Sequence, residues 1–343
     1  MTRRAVLICP GRGTYNAPEL GYLKQHRPRF DTVLDGFDAQ RVALSQTTIT
    51  DLDSSERFDP AVFTRGDNAS GLIYASAYCD GSGLNADIEV VAVTGNSMGW
   101  YIAMTLAGAI SEQDGFRLVN TMGDLMQRHL IGGQLVYPVT DENWVIDHGR
   151  KQYLLELVRT IDAKTGHDLC FSIDLGGLLV LAGNEAGLSA FEATVPKIMG
   201  RFPMRLQNHA AFHSHLQADV AAQGRVILSD IVVKPPNVPL IDGFGRIWWA
   251  DGCDPAKMWD YTLGAQVTET YNFSKAIETA AKEFAPDVFI VAGPGNTLGG
   301  AVAQSLIGCG WKGLQNKADF EALQSESNFL VSMGRKEQRN LVS

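Results

Sequence analysis

IEVVAVTGNSMGWYIAMTLAGAI, residues 88–110, decides how the rest of the chain is read. Ile88 to Val93 is valine-rich and, Glu89 apart, apolar with no polar alternation, which suits a strand buried on both faces. Gly95-Asn96-Ser97-Met98-Gly99 follows, a G-x-S-x-G pentapeptide, and Trp100 to Ile110 reads as a buried helix. Strand, glycine turn, serine and helix together give G-x-S-x-G its meaning, because the sharp turn exposes the serine hydroxyl. The helix end behind Ser97 offers free N–H groups where an oxyanion would form. Serine is also a favoured helix N-cap, which is the bland reading of Ser97.

Outward from this stretch, the order of elements predicts two units. Residues 4–10, RAVLICP, read as a buried strand entering the turn Gly11-Arg12-Gly13. An alanine-rich helix is expected over 68–86 and another from Glu112 to about His129, while TTITDLDSSERFDP (47–60) reads as an exposed, charged connection. The pattern then changes. GQLVYP (133–138) reads as a strand, 149–164 as a helix, 168–174 and 177–183 as strands, Ala186 to Ile198 as a helix and Pro203 to Phe212 as a strand. The order β-α-β-β-α-β is ferredoxin-like and predicts a small insert over 131–206. NVPLIDGF (237–244) and DVFIVAG (287–293) return to buried strands, with a helical pattern from Gln266 to Lys282 between them.

Composition narrows the function classes. A net charge of −9 argues against sequence-independent nucleic-acid binding. Five scattered cysteines without C-x-x-C pairs indicate neither a disulfide framework nor a zinc site. No apolar run approaches membrane-spanning length and the start lacks a signal-length apolar segment, so a cytoplasmic protein without membrane or nucleic-acid partners is expected.

A serine nucleophile needs a base within hydrogen-bond reach. Three of the seven histidines, His209, His213 and His215, crowd into one segment, and no histidine follows them. That strains the usual hydrolase layout, in which the histidine lies near the C-terminal end.

At this point the chain resembles the malonyl-CoA:acyl carrier protein transacylases and the acyltransferase domains of polyketide synthases, in matching order over nearly its whole length. Pro10-Gly11-Arg12-Gly13 resembles the P-G-Q-G of that family, Gly95 to Gly99 its G-H-S-x-G, and Leu118 to Gln127 the stretch ending in R-G-x-x-M-Q. Ala211-Phe212-His213-Ser214 resembles the histidine segment, Gln266 to Ile277 a late segment with a glutamine, and Val291 to Leu298 the closing G-P-G-x-x-L. The resemblance implies an α/β fold: an α/β-hydrolase-like large subdomain with a parallel sheet (1–130 and 207–343) and an inserted ferredoxin-like small subdomain (131–206). It implies Ser97 as nucleophile and His213 as base. The backbone N–H groups of Arg12 and Met98 would form the oxyanion hole, and the backbone carbonyl of Asn272 would orient the histidine. It implies ping-pong transfer from acyl-CoA to the phosphopantetheine thiol of an acyl carrier protein, in fatty acid or polyketide biosynthesis, with no metal or redox cofactor. A basic patch for an acidic carrier protein is expected, with Arg201 and Arg205 as its candidates.

Four residues depart from the family pattern. Met122 stands where the family arginine pairs with the malonyl carboxylate, and a thioether makes no ion pair. Burying that carboxylate unpaired would be costly, so an uncharged acyl group is expected. Arg12 replaces the P-G-Q-G glutamine, as a relocated carboxylate partner or a contact to CoA phosphates. Asn96 replaces the histidine before the serine, and Trp100 the residue after the second glycine, where it is expected to reshape the pocket. Thioester hydrolysis by the same pair, and a silent protein that docks carrier proteins, are the alternatives.

Overall fold

A computed structural model describes residues 2–343. Eleven strands occur among them. In chain order they are β1 (Arg3–Cys9), β2 (Ile88–Gly95), β3 (Gly133–Pro138), β4 (Leu169–Leu175), β5 (Leu178–Gly183) and β6 (Met204–Arg205). They continue with β7 (Leu240–Ile241), β8 (Ile247–Trp248), β9 (Tyr271–Asn272), β10 (Val288–Val291) and β11 (Leu330–Ser332).

The first sheet has the order β11-β10-β1-β2-β7-β8. It is parallel from β11 to β7, and β8 closes one edge antiparallel. Ala5 to Cys9 and Val288 to Val291 are buried throughout, which is why these strands read as unbroken apolar runs: helices cover both faces. Among those helices, Gly66–Ser82 is buried nearly all round and packs along the amphipathic helix Glu112–His129.

The second sheet has the order β6-β3-β5-β4-β9. Its first four strands come from the segment 131–206 and pair antiparallel, with the helices His148–Asp162 and Glu185–Thr194 as crossovers. The fifth, β9, lies outside that segment and adds in parallel to β4, so the larger part of the chain contributes an edge strand to the second sheet. The two parts meet around a cavity of about 950 Å³ at the C-terminal ends of β1 and β2. In open α/β sheets ligands bind at that end of the strands. No helix among the described residues is long and apolar enough to cross a membrane.

Several elements differ from the sequence expectation. Within 47–60 a short helix, Ile49–Asp53, buries Ile49, Leu52 and Asp53, and the Asp53 carboxylate accepts from Tyr15 Oη at 2.6 Å. The charged composition of the stretch hides these three inward positions. Pro203 to Phe212 is strand only at Met204–Arg205. The helix expected over 266–282 is broken into Ala265–Thr268 and Phe273–Phe284, because Tyr271 and Asn272 are drawn into the second sheet as β9.

Candidate active site

Ser97 sits between the end of β2 and the helix Gly99–Leu106, with its backbone at φ +56. Non-glycine residues seldom adopt this left-handed conformation, and here the surroundings enforce it. A Cβ on Gly95 would lie 2.2 Å from the Gly99 carbonyl carbon, and one on Gly99 would lie 2.3 Å from the Cys9 carbonyl oxygen. Only glycine lets the turn fold back this tightly against the end of β1.

His213 reaches the serine from the opposite side of the cavity. Its backbone is also left-handed, at φ +56, and its Nε2 lies 2.8 Å from Ser97 Oγ. His213 Nδ1 lies 2.6 Å from the main-chain oxygen of Gln266. A carbonyl only accepts, so Nδ1 carries the proton and the Nε2 lone pair faces the serine hydroxyl. The Gln266 side chain locks the same group: Nε2 donates to Ser97 O at 2.9 Å, and Oε1 accepts from Tyr101 Oη at 2.9 Å. One buried glutamine thus holds both members of the pair.

The orienting carbonyl is therefore that of Gln266 and not of Asn272. Asn272 caps the helix Phe273–Phe284 through its side chain, and its N–H donates to Gly243 O at 2.6 Å. A backbone carbonyl has no side-chain signature, so the sequence alone did not distinguish the two positions. The break falls at Glu269 to Asn272, where Thr270, Tyr271 and Asn272 are all residues of low helix propensity.

The N–H groups of Arg12 and Met98 have no hydrogen-bond partner among the described residues, and both residues line the cavity. Asn96 lines it as well. Trp100 does not: it is fully buried away from the cavity, with indole Nε1 donating to Thr262 Oγ1 at 2.9 Å and its ring edge-on to Tyr261. Arg201 lies at the cavity with its guanidinium stacked on Phe202, whereas Arg205 is held by Glu185 and Glu192 and is no free cation. His215 is exposed beside Asp168.

No protein-family model matches the chain. Polyketide synthase GfsB of Streptomyces halstedii is 25% identical over 207 residues, 60% of this chain and 3% of that protein. The non-reducing polyketide synthase Preu6 of Preussia isomera is 25% identical over 309 residues, 85% of this chain and 13% of that protein. The chain thus spans less than a fifth of these two relatives. The crystal structure of the acyl-carrier-protein S-malonyltransferase of Burkholderia pseudomallei superposes with a TM-score of 0.74 at 19% identity, covering 98% of each chain. The chain has the malonyl-CoA:acyl carrier protein transacylase fold.

In that transacylase fold the helix Glu112–His129 forms one wall of the cavity through Val119, Met122 and Met126. Met122 is 4% exposed and presents its thioether where the resemblance puts an arginine. The guanidinium of Arg12 lies one helical turn away. Its Nη1 donates to Met126 Sδ at 2.8 Å and to Asn208 O at 3.1 Å, and its Nη2 donates to Thr64 O at 2.6 Å. Burial lowers its pKa to about 10, so it remains charged at neutral pH. Its Nε is enclosed without a partner, so no free fork faces the cavity.

Burial lowers the His213 pKa from 6.5 to about 4, and the bond to the Gln266 carbonyl opposes this only in part. A base must be neutral to act. The rate of Ser97 modification by a thioester is therefore expected to stay level from pH 8 to about 5 and to fall as the pH drops through about 4. Because the unfolded chain takes up this proton near 6.5, folding stability contributed by neutral His213 is full above 6.5 and is lost on acidification toward 4. An acid limb near 6.5 in single-turnover rates would contradict this environment.

Proposed function

We propose that the chain transfers an acyl group from coenzyme A to the phosphopantetheine thiol of an acyl carrier protein, through an acyl ester on Ser97. The observation that carries this reading is the hydrogen-bonded set Ser97–His213–Gln266 lining a cavity between two subdomains. His213 Nε2 takes the proton of Ser97 as its oxygen attacks the thioester carbonyl. The N–H groups of Arg12 and Met98 hold the oxyanion, each contributing about 3 kcal/mol. Coenzyme A leaves as its thiol, taking the proton from His213. The carrier thiol then attacks the acyl-serine with the same proton transfers in the opposite sense. No step draws on a metal or redox group.

The acyl group is uncharged. Met122 offers no positive charge, and the Nη groups of Arg12 are already engaged by Met126, Asn208 and Thr64. A carboxylate would be desolvated without a matched donor pair.

Intact mass after brief incubation with malonyl-, acetyl- and longer saturated acyl-CoAs tests the reading. Adducts from the uncharged thioesters, discharged rapidly by added carrier protein, support it. No adduct from any thioester overturns it, and an adduct that water clears as fast as carrier protein does would make the chain a hydrolase. Met122→Arg is expected to raise malonyl over butanoyl labelling about tenfold or more, since a charge-assisted bond is worth about 1.5–3 kcal/mol. An unchanged ratio would show that position 122 does not face the acyl group.

A further inference from the structure

A second histidine in the cavity has no part in this transfer. His209 lies among the cavity-lining residues, four positions before His213. Its tautomer follows from the network behind it. The carbonyl of Phe212 only accepts, so Ser172 Oγ, at 2.8 Å, donates to it. The Ser172 oxygen then accepts from Gln134 Nε2 at 2.6 Å. That fixes the amide and turns Gln134 Oε1 toward His209 Nδ1 at 2.9 Å. Nδ1 therefore carries the proton and Nε2 is a bare acceptor. Burial and the positive charge of Arg12 both press this imidazole to stay neutral. Nε2 has no hydrogen-bond partner among the described residues, and it is not among the enclosed unpaired atoms, so it opens on the cavity.

His209 lines the cavity within reach of the Arg12 charge, and Arg12 in turn touches Met126 on the wall that also carries Met122. A coenzyme arm is too large to be enclosed with the acyl group and must leave by the cavity mouth, whose rim includes the exposed Met199 and Glu142. The acyl group extends the other way, toward buried Met122 and Met126, and Met126 touches the same Arg12 guanidinium whose charge acts on His209. There an acceptor would meet the acyl group beside Met122, Met126 and the charged Arg12. A carboxylate would set lone pairs against lone pairs, and an ammonium would face Arg12. A neutral donor fits both.

We propose that His209 Nε2 accepts a hydrogen bond from a hydroxyl on the acyl chain, so that the preferred substrate is a hydroxyacyl thioester. This rests on the acyl-transfer reading of the same site. A site that strips water from its own acceptor discriminates against a substrate lacking the matching donor.

The test is the rate of Ser97 acylation, by intact mass, with butanoyl-, 2-hydroxybutanoyl- and 3-hydroxybutanoyl-CoA. The wild-type protein is expected to favour one hydroxyacyl group over butanoyl about tenfold or more. His209→Leu, which fills similar space without an acceptor, brings that ratio close to one, and His209→Gln restores part of it. Equal wild-type rates for the three thioesters overturn the proposal, and this comparison stands even if the leucine variant fails to fold. A leucine variant that slows all three alike, leaving the ratio intact, also overturns it, because the acceptor then serves the arm common to every thioester. Absence of any labelling in the wild-type protein is a different failure: it removes the acyl-transfer reading itself.

Discussion

Ser97→Ala abolishes covalent labelling by acyl-CoA and lowers transfer by at least about 10⁴-fold, the loss expected when a nucleophile is removed and only binding and oxyanion contacts remain. The expectation follows from position. Ser97 Oγ lies 2.8 Å from a neutral imidazole, at a turn beside two unpartnered N–H groups. His213→Ala is expected to cost nearly as much, and the double variant little more than either, because the two residues act as one unit. Residual labelling of Ser97→Ala would place the nucleophile elsewhere in the cavity. Additive losses would separate the histidine from the serine. The fold is expected to survive, since Ser97 Oγ makes no bond except that to His213.

Gly95→Ala removes the site by a different route. The added methyl would sit 2.2 Å from both the carbonyl carbon and oxygen of Gly99 and 2.8 Å from Trp100 N. These are backbone atoms, which cannot swing aside as a side chain can. Relief requires the strand end and the helix start to separate, at a cost of about 3 kcal/mol, typical of severe overpacking. For a chain of this length that lowers Tm by roughly 4 °C. The larger consequence is at Ser97, whose φ of +56 depends on the closed turn, so acylation is lost along with stability. Gly299→Ala is the control: its added methyl meets no atom within 4 Å beyond its chain neighbours and its own helix backbone. A Gly95→Ala protein with wild-type Tm and labelling would refute the account of the turn.

The parts of the site legible in the sequence are those whose side chains carry the chemistry within a short span. The glycines around Ser97 and the histidine segment around His213 are of this kind. Gln266 was visible only as one glutamine in a helical pattern, because its main-chain oxygen is what touches His213 and any residue has one. Trp100 lies away from the cavity for a related reason. Its partner Thr262 lies far along the chain, and only packing shows that the indole points away from the cavity. His209 was conspicuous as a letter but had no role, since its tautomer depends on Gln134, Ser172 and Phe212 from three separate segments.

By itself the sequence determined the strands, the glycine turn at Ser97, the order of elements in the insert and an uncharged thioether at position 122, whereas the strand before Ser97, expected to be buried throughout, is buried only from Ala92 onward. Each is a local matter of apolar periodicity, backbone freedom or side-chain charge. The tertiary structure alone decided which carbonyl orients His213, where the Arg12 guanidinium spends its donors, and that the helical pattern after Gln266 breaks to add β9 to the second sheet. These depend on hydrogen-bond partners distant in the chain, and such partners are chosen by the packing of whole elements rather than by the residues beside them.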